Sequence, residues 1–225
     1  MTTYFPESIK PASGEEPAER RAKRRLLRKA MRQRARAILS QQGYTIGDSL
    51  GIPRANAFEA VQNGKSVKVG IRSSADRWVA LTQPALAPGG ELAVVDYLYV
   101  ITFSDPKTRD TVQLWQFDGP VVADMGKQIF EASGKSGQQW LPLDDAQDVD
   151  VPSMKAGSLA KRGKLIAEEK VEWSDKSEPM ISSDIDDDEE DKSGPPFRLT
   201  IGQAKTGLAR QFGVSTDSIK ITIEG

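Results

Sequence analysis

Apolar residues recur at a helical spacing over one long segment near the start of the chain. Between residues 15 and about 42 they return every three or four positions, at Leu26, Leu27, Ala30, Met31, Ala35, Ile38 and Leu39. The acids of EEPAE (15–19), at the start of this segment, complement the positive end of a helix dipole. The pattern therefore predicts a long amphipathic helix that ends at Gly43.

Beyond this helix the apolar pattern changes to the alternating or continuous form that is typical of β-strands. The strongest signal is Asn63-Gly64 between NAFEAV (56–61) and KSVKVGIRS (65–73), because Asn-Gly supplies the positive φ angles of a two-residue hairpin turn. Further strands are predicted over residues 76–82, 92–103, 111–117 and 138–143, and helices over residues 120–133 and 154–173. This mixture of elements predicts an α/β fold.

Four segments of different composition divide the chain. Residues 1–13 are expected to form a disordered tail, and residues 14–173 to form the core with its basic helix. Residues 174–196 have almost no apolar content and predict a disordered acidic linker. Residues 197–225 predict a small β-α-β module with a capping box at Thr200 and Gln203. This module is expected to dock, and its last strand, IKITI, is a candidate contact for a protein partner.

The chain contains no cysteine and no histidine. Zinc sites built on these residues, thiol nucleophiles, disulfides and a Ser-His-Asp triad are therefore excluded. An enzyme of this composition would depend on carboxylate, lysine or tyrosine chemistry, most simply with Mg²⁺, and otherwise no cofactor is expected. No segment has the roughly 18 apolar residues of a membrane span, and the N-terminus lacks the order of a signal peptide. A bacterial-type cytoplasmic protein without a membrane partner is expected.

The net charge of −1 conceals two opposite blocks. Residues 20–36 hold ten Lys/Arg and no acid, whereas DIDDDEED (184–191) holds seven acids in eight positions. A helix this basic predicts salt-dependent binding to nucleic-acid phosphates, with an anionic protein partner as the alternative. The acidic block is interpreted either as a repelling linker or as a segment that competes with nucleic acid for the helix. The residues expected to contact nucleic acid are Arg21, Arg24, Arg25, Arg28, Lys29, Arg32 and Arg36 on the helix and Lys68, Arg72 and Arg77 on the strands.

The predicted elements follow a particular order: a helix, Gly43-Tyr44, a strand, an Asn-Gly turn, a strand ending in two serines, RWVAL (77–81) and VDYLYVITF (95–103). This order resembles the PD-(D/E)xK nuclease superfamily. The resemblance covers roughly residues 20–135. It implies a restriction-endonuclease-like core, in which helices flank a mixed β-sheet. Members of the superfamily carry an acid on the first strand and acid-x-Lys on the second. The two acids hold Mg²⁺, and the lysine positions or activates water.

This chain departs from the superfamily at the motif itself. The first-strand acid corresponds to Glu59, but the acid-x-Lys triplet falls on Gly70-Ile71-Arg72. Glycine has no side chain, and the arginine stays protonated at neutral pH. A single carboxylate holds Mg²⁺ poorly, so the resemblance implies a degenerate metal site. An active enzyme would need relocated acids, for which Glu59, Asp76 and Asp96 are the candidates.

Three functions are consistent with these observations. The leading hypothesis is a non-catalytic nucleic-acid-binding protein, for which the fold suggests an accessory role in DNA processing or phage defence. The first alternative is a protein-interaction adaptor that uses the basic helix and the C-terminal module. The second alternative is a Mg²⁺-dependent endonuclease with relocated acids.

Overall fold

The structure is a computed structural model that describes residues 1–12, 14–52, 55–133, 138–144 and 157–174. The chain divides into two units, Met1–Asp187 and Asp188–Gly225, and every described residue lies in the first. The predicted linker over residues 174–196 and the predicted module over residues 197–225 therefore lie outside the described residues, apart from Ser174.

Seven strands of the described ranges form one mixed β-sheet. Two neighbouring pairs are parallel: β1 (Thr2–Phe5) with β9 (Lys164–Trp173), and β4 (Lys65–Ser74) with β6 (Tyr97–Phe103). The other neighbouring strands are antiparallel. An α/β fold with a mixed sheet was predicted from the sequence and is confirmed at that level. In spatial order the strands are β1 (Thr2–Phe5), β9 (Lys164–Trp173), β7 (Thr111–Asp118), β6 (Tyr97–Phe103), β4 (Lys65–Ser74), β3 (Ala57–Gln62) and β2 (Thr45–Ser49).

A two-stranded antiparallel sheet of β5 (Trp78–Thr82) and β8 (Gln138–Pro142) packs beside the main sheet, together with helices. None of the helices in the described ranges combines the length and the apolar content that crossing a membrane would require. The remaining elements are β5 (Trp78–Thr82), β8 (Gln138–Pro142), α1 (Pro17–Gln41), α2 (Gln83–Leu86), α3 (Glu91–Val94), α4 (Gly119–Ser133) and the 3₁₀ turns Glu7–Ile9 and Ala160–Arg162.

The main sheet separates two hydrophobic clusters. Leu27 of α1 and Val69 of β4 are buried together on one face. On the other face, Phe117 of β7 is buried with side chains of α4 and the β5–β8 sheet. Because side chains alternate along a strand, Gly70 and Arg72 of β4 lie on the face opposite to α1. The basic helix and the residues at the nuclease-motif positions are therefore on different sides of the sheet.

The hairpin and the two longest helices agree with the sequence predictions. Asn63 and Gly64 have φ angles of 53° and 75°, as the two-residue turn requires. The helices predicted over residues 15–42 and 120–133 are α1 and α4. Pro17 lies in the first turn of α1, where a backbone N–H would have no helical acceptor and its absence has little cost.

Gly43 follows the end of α1, as predicted, with a φ of 86° that glycine adopts without strain. The next residue, Tyr44, donates its backbone N–H to Leu39 O at 3.0 Å and turns into the core. Its hydroxyl lies 2.9 Å from the Tyr99 hydroxyl on β6. Burial, reinforced by this hydrogen bond, raises the pKa of the Tyr99 phenol.

Three secondary-structure predictions are wrong. Residues 1–13 were expected to be a disordered tail, but Thr2–Phe5 pair with β9, and Phe5 and Ile9 are buried. The helix predicted over residues 154–173 is a 3₁₀ turn followed by β9, with residues 154–156 outside the described ranges. The strand predicted over residues 92–103 is interrupted, because its first residues belong to α3 and β6 begins at Tyr97. Pairing with neighbouring strands decides these segments more than local propensity does.

Candidate nucleic-acid interface

The N-terminal half of α1 carries four exposed arginines, which we name the α1 arginine cluster: Arg21, Arg24, Arg25 and Arg28. A helix turns by about 100° per residue, so the four lie within an arc of about 100° and along about 10 Å of helix. None of them forms a hydrogen bond or an ion pair with another described residue. The cluster is therefore a concentrated positive surface that an anionic ligand could contact.

The acids at the start of α1 do not neutralise this cluster. Lys23 Nζ lies 2.6 Å from Glu15 Oε1 and 3.2 Å from Glu19 Oε1. Arg20 donates to the backbone carbonyl of Glu15 at 2.9 Å. Glu15 and Glu19 thus pair with Lys23, and none of the three acids of EEPAE forms an ion pair with the α1 arginine cluster in the described residues.

Lys29, Arg32 and Arg36 were also predicted to contact nucleic acid, and all three are half-buried. Arg36 donates to Asn56 Oδ1 at 2.7 Å, and its Cζ atom lies 4.6 Å from the centre of the Phe58 ring. Arg32 is also engaged. These contacts orient the C-terminal half of α1 on the sheet, so the exposed charge is concentrated in its N-terminal half.

Arg34 is the buried arginine of α1, with 8 % of its surface exposed. It holds Glu169 of β9 in a bidentate contact, with Nε 2.8 Å from Oε2 and Nη2 2.6 Å from Oε1. The Thr3 hydroxyl of β1 donates to the same carboxylate. Burial alone would raise the pKa of Glu169, but the hydrogen bonds from Arg34 and Thr3 outweigh it, and the pKa is lowered. This network joins α1 to β9 and β1.

The two strand arginines proposed as nucleic-acid contacts are used inside the protein. Arg77, at a φ of 64°, donates to both carboxylate oxygens of Asp144 and to Phe103 O at 2.7 Å. Arg72 donates to Glu91 and to a backbone carbonyl of β5. Lys68 is exposed, but it lies on the sheet face opposite to α1. The structure therefore does not join these three residues to the α1 arginine cluster.

Glu91 lies beside Gly70, the position compared with the second acid of the nuclease motif. The sequence analysis did not predict this contact. A Cβ atom at Gly70 would lie 2.9 Å from Glu91 Oε1, so this buried carboxylate fills the space beside the glycine. Its other oxygen accepts hydrogen bonds from Arg72, with Nε at 3.0 Å. Arg72 is held in turn by Ala80 O. The Arg72–Glu91 ion pair between β4 and α3 thus occupies the space beside Gly70. The only sequence signal for this ion pair is an acid after Gly89-Gly90.

The three relocated acids do not come together. Glu59 is exposed on β3 opposite Lys68, and the Asp96 carboxylate accepts the Lys68 backbone N–H at 2.7 Å. Asp76 lies beyond the other end of β4, where it accepts from the Ser74 hydroxyl at 3.0 Å. Six strand residues, about 20 Å, separate Lys68 from Ser74. Within the described ranges, no group of three or more acids is arranged to hold a metal ion.

Comparisons with family models, with curated proteins and with solved structures find no match to this chain. A function therefore has to be inferred from the side chains themselves. The feature of the described surface that most clearly indicates a ligand is the α1 arginine cluster, because its charges have no described partner whereas Arg34, Arg72 and Arg77 are all paired.

Proposed function

We propose that this protein binds nucleic acid through the phosphate backbone and does not cleave it. The observation that carries the proposal is the α1 arginine cluster: four exposed guanidinium groups on one side of a helix, without a described acid as partner. Guanidinium groups suit phosphate because they are always charged and donate two parallel hydrogen bonds.

The expected binding mode is independent of base sequence. The cluster is a convex helix surface of cations. Further along the same helix, the aromatic ring that Arg36 contacts, Phe58, is buried and cannot stack on bases. Phosphate contacts of this kind position a protein on nucleic acid without reading bases. Four contacts to a duplex would give a slope of about −3.6 for log affinity against log salt, because each contact contributes about −0.9. Raising salt from about 50 to 200 mM would then weaken binding by about 150-fold.

The contacts at the nuclease-motif positions support binding without cleavage. Gly70 supplies no carboxylate, and Arg72 is committed to Glu91 and to Ala80 O. The candidate acids Asp76 and Asp96 are near opposite ends of β4. A two-metal or one-metal mechanism needs acids that converge on one ion, so the described arrangement favours a binding role.

The proposal is tested by measuring fluorescence anisotropy of a labelled duplex at 0.1 M salt with the full chain. Neutralising two cluster residues, Arg25→Gln with Arg28→Gln, should weaken binding by about 60-fold, because each phosphate contact at this salt contributes about eightfold. The matched control is Arg162→Gln with Lys164→Gln, which removes the same charge from an exposed site near β9 and should change affinity by less than about twofold.

Two results would overturn the proposal. Equal losses in the cluster variant and the control variant would mean that net charge, rather than the α1 arginine cluster, drives binding. Cutting of the duplex that requires added Mg²⁺, and that survives purification of the protein to homogeneity, would contradict a non-catalytic role.

A further inference from the structure

Arg109, an arginine outside α1, has the properties of a prearranged anion contact. Arg109 lies in the loop between β6 and β7 with a φ of 54°, a left-handed conformation that is uncommon for residues with a side chain. Its backbone is fixed on both sides: its N–H donates to Asp105 O at 3.0 Å, and its carbonyl accepts from Trp173 Nε1 at 3.4 Å. Such backbone outliers are found preferentially at functional sites.

The side chain of Arg109 is held equally firmly. Its Nε donates to Pro106 O at 3.0 Å, and its Cζ atom lies 5.9 Å from the centre of the Phe103 ring. Among the described residues, no carboxylate pairs with it, and its two terminal amino groups make no hydrogen bond. The guanidinium is therefore oriented by the protein while its bidentate edge has no described acceptor.

Arg109 lies on the same side of the main sheet as the α1 arginine cluster. Phe103, the ring beneath Arg109, packs in the same buried cluster as Leu27, and Arg24 lies one helical turn before Leu27. The pKa of Arg109 is lowered, first by burial and then by the positive charge of Arg24. Neither Arg24 nor Arg109 has an ion-pair partner among the described residues, and a bound anion would relieve the repulsion between their like charges.

We propose that Arg24 and Arg109 bind adjacent phosphate groups, one each, and that this pair extends the α1 arginine cluster across to the β6–β7 loop. This inference rests on the proposed function, since the phosphates are taken to belong to the nucleic-acid backbone. The structural role of Arg109 is to add a contact whose geometry is fixed before binding, so less side-chain entropy is lost when the phosphate is bound. The nucleic acid would then contact the cluster and the loop at the same time.

The test compares Arg109→Gln with wild type in two assays on the full chain. Against a labelled duplex, the variant should bind about eightfold more weakly at 0.1 M salt, and its salt slope should be less steep by about one unit. In a thermal-shift titration with inorganic pyrophosphate, a stronger and multivalent phosphate probe, wild type should gain stability and Arg109→Gln should gain less. Arg162→Gln is the matched control, because Arg162 is exposed beside Gly163 and Phe117, at the other end of β7 from Arg109. It should behave as wild type in both assays.

Arg109→Lys is the control for a loss of duplex affinity that is caused by misfolding alone. It keeps the positive charge at the same backbone position but removes the two-pronged donor, so its duplex affinity should fall between those of wild type and Arg109→Gln. Circular dichroism and the melting temperature establish that each variant is folded. Equal duplex affinity and salt slope in folded Arg109→Gln and wild type would overturn the inference.

Failure of the inference is distinguishable from failure of the proposed function. If Arg25→Gln with Arg28→Gln weakens duplex binding but Arg109→Gln does not, the proposed function stands and the Arg24–Arg109 pair is refuted. If pyrophosphate stabilises wild type through Arg109 but no duplex binds at low salt, the pair takes free phosphate and the nucleic-acid proposal is overturned. If neither ligand has an effect, both are refuted.

Discussion

The buried contact between Arg34 and Glu169 gives the sharpest prediction about stability. Replacing Arg34 by Met keeps the helix and most of the side-chain volume, but it leaves the Glu169 carboxylate with only the Thr3 hydroxyl as donor. Both Arg34 and Glu169 are more than nine-tenths buried. An uncompensated charge at such depth destabilises a protein by about 3–5 kcal/mol.

Replacing both partners should cost far less than replacing one. In Arg34→Met with Glu169→Met, no buried charge remains, and exchanges of a buried ion pair for apolar residues are often neutral or stabilising, by about 1–4 kcal/mol where they stabilise. The two substitutions should therefore show a large favourable coupling energy, since the partners touch. Arg25→Met on the exposed side of the same helix should change stability by less than about 0.5 kcal/mol.

Urea unfolding at pH 7, followed by tryptophan fluorescence, measures these free energies. All four tryptophans lie within Met1–Asp187, so the signal reports on the unit that contains the ion pair. A loss of less than about 1 kcal/mol in Arg34→Met would refute the argument that Arg34 compensates a buried carboxylate. A double variant as unstable as the sum of the two single variants would refute it as well.

Three further predictions concern single groups. The pKa of Glu169 is lowered in the folded protein, so its contribution to stability should be present above the usual carboxyl value of 4.5. That contribution should disappear as the pH falls through the folded-state pKa, and Glu169→Gln should lack this acid-dependent loss of stability. Gly70→Ala should lower the unfolding free energy by about 1–3 kcal/mol, since the new Cβ would crowd Glu91 Oε1; equal urea midpoints would contradict this. In alkaline absorbance titrations, the Tyr99 phenol should ionise only when the protein unfolds, so Tyr99→Phe should remove a phenolate step at the pH of unfolding. If Tyr99→Phe instead removes a step at a pH where the protein is still folded, the buried Tyr99–Tyr44 contact is contradicted.

Segments with their own local signal were predicted correctly. The Asn63-Gly64 turn, α1 and α4 are specified by residues within the segment: a turn dipeptide and helical spacing of apolar residues. The helix predicted for the β9 segment was wrong because KLIAEEKVEW is rich in good helix formers. It is a strand because it lies between β1 and β7, and those partners are more than 40 residues away in sequence. Its alternation of buried Glu169 and Val171 with exposed Lys170 and Glu172 was the usable signal.

The charge of α1 could be predicted from the sequence, but its distribution among exposed and paired arginines could not. Arg34 and Arg28 look alike in a basic segment, yet one is buried against Glu169 and the other is exposed. The pairing depends on β9, whose secondary structure was predicted wrongly. Arg109 was missed for a related reason, because a single arginine in a turn gains significance only when the fold orients its guanidinium, here against Pro106 O and the Phe103 ring.

The salt dependence of duplex binding tests the central claim most directly. Affinity would be measured from about 50 to 300 mM salt for wild type and for a variant in which all four residues of the α1 arginine cluster are replaced by glutamine. For wild type, we predict a slope near −3.6 for the cluster alone, or near −4.5 if Arg109 adds a fifth contact, and for the variant a slope near zero to −1. A wild-type slope near zero, or a slope that the variant leaves unchanged, would contradict nucleic-acid binding through this helix.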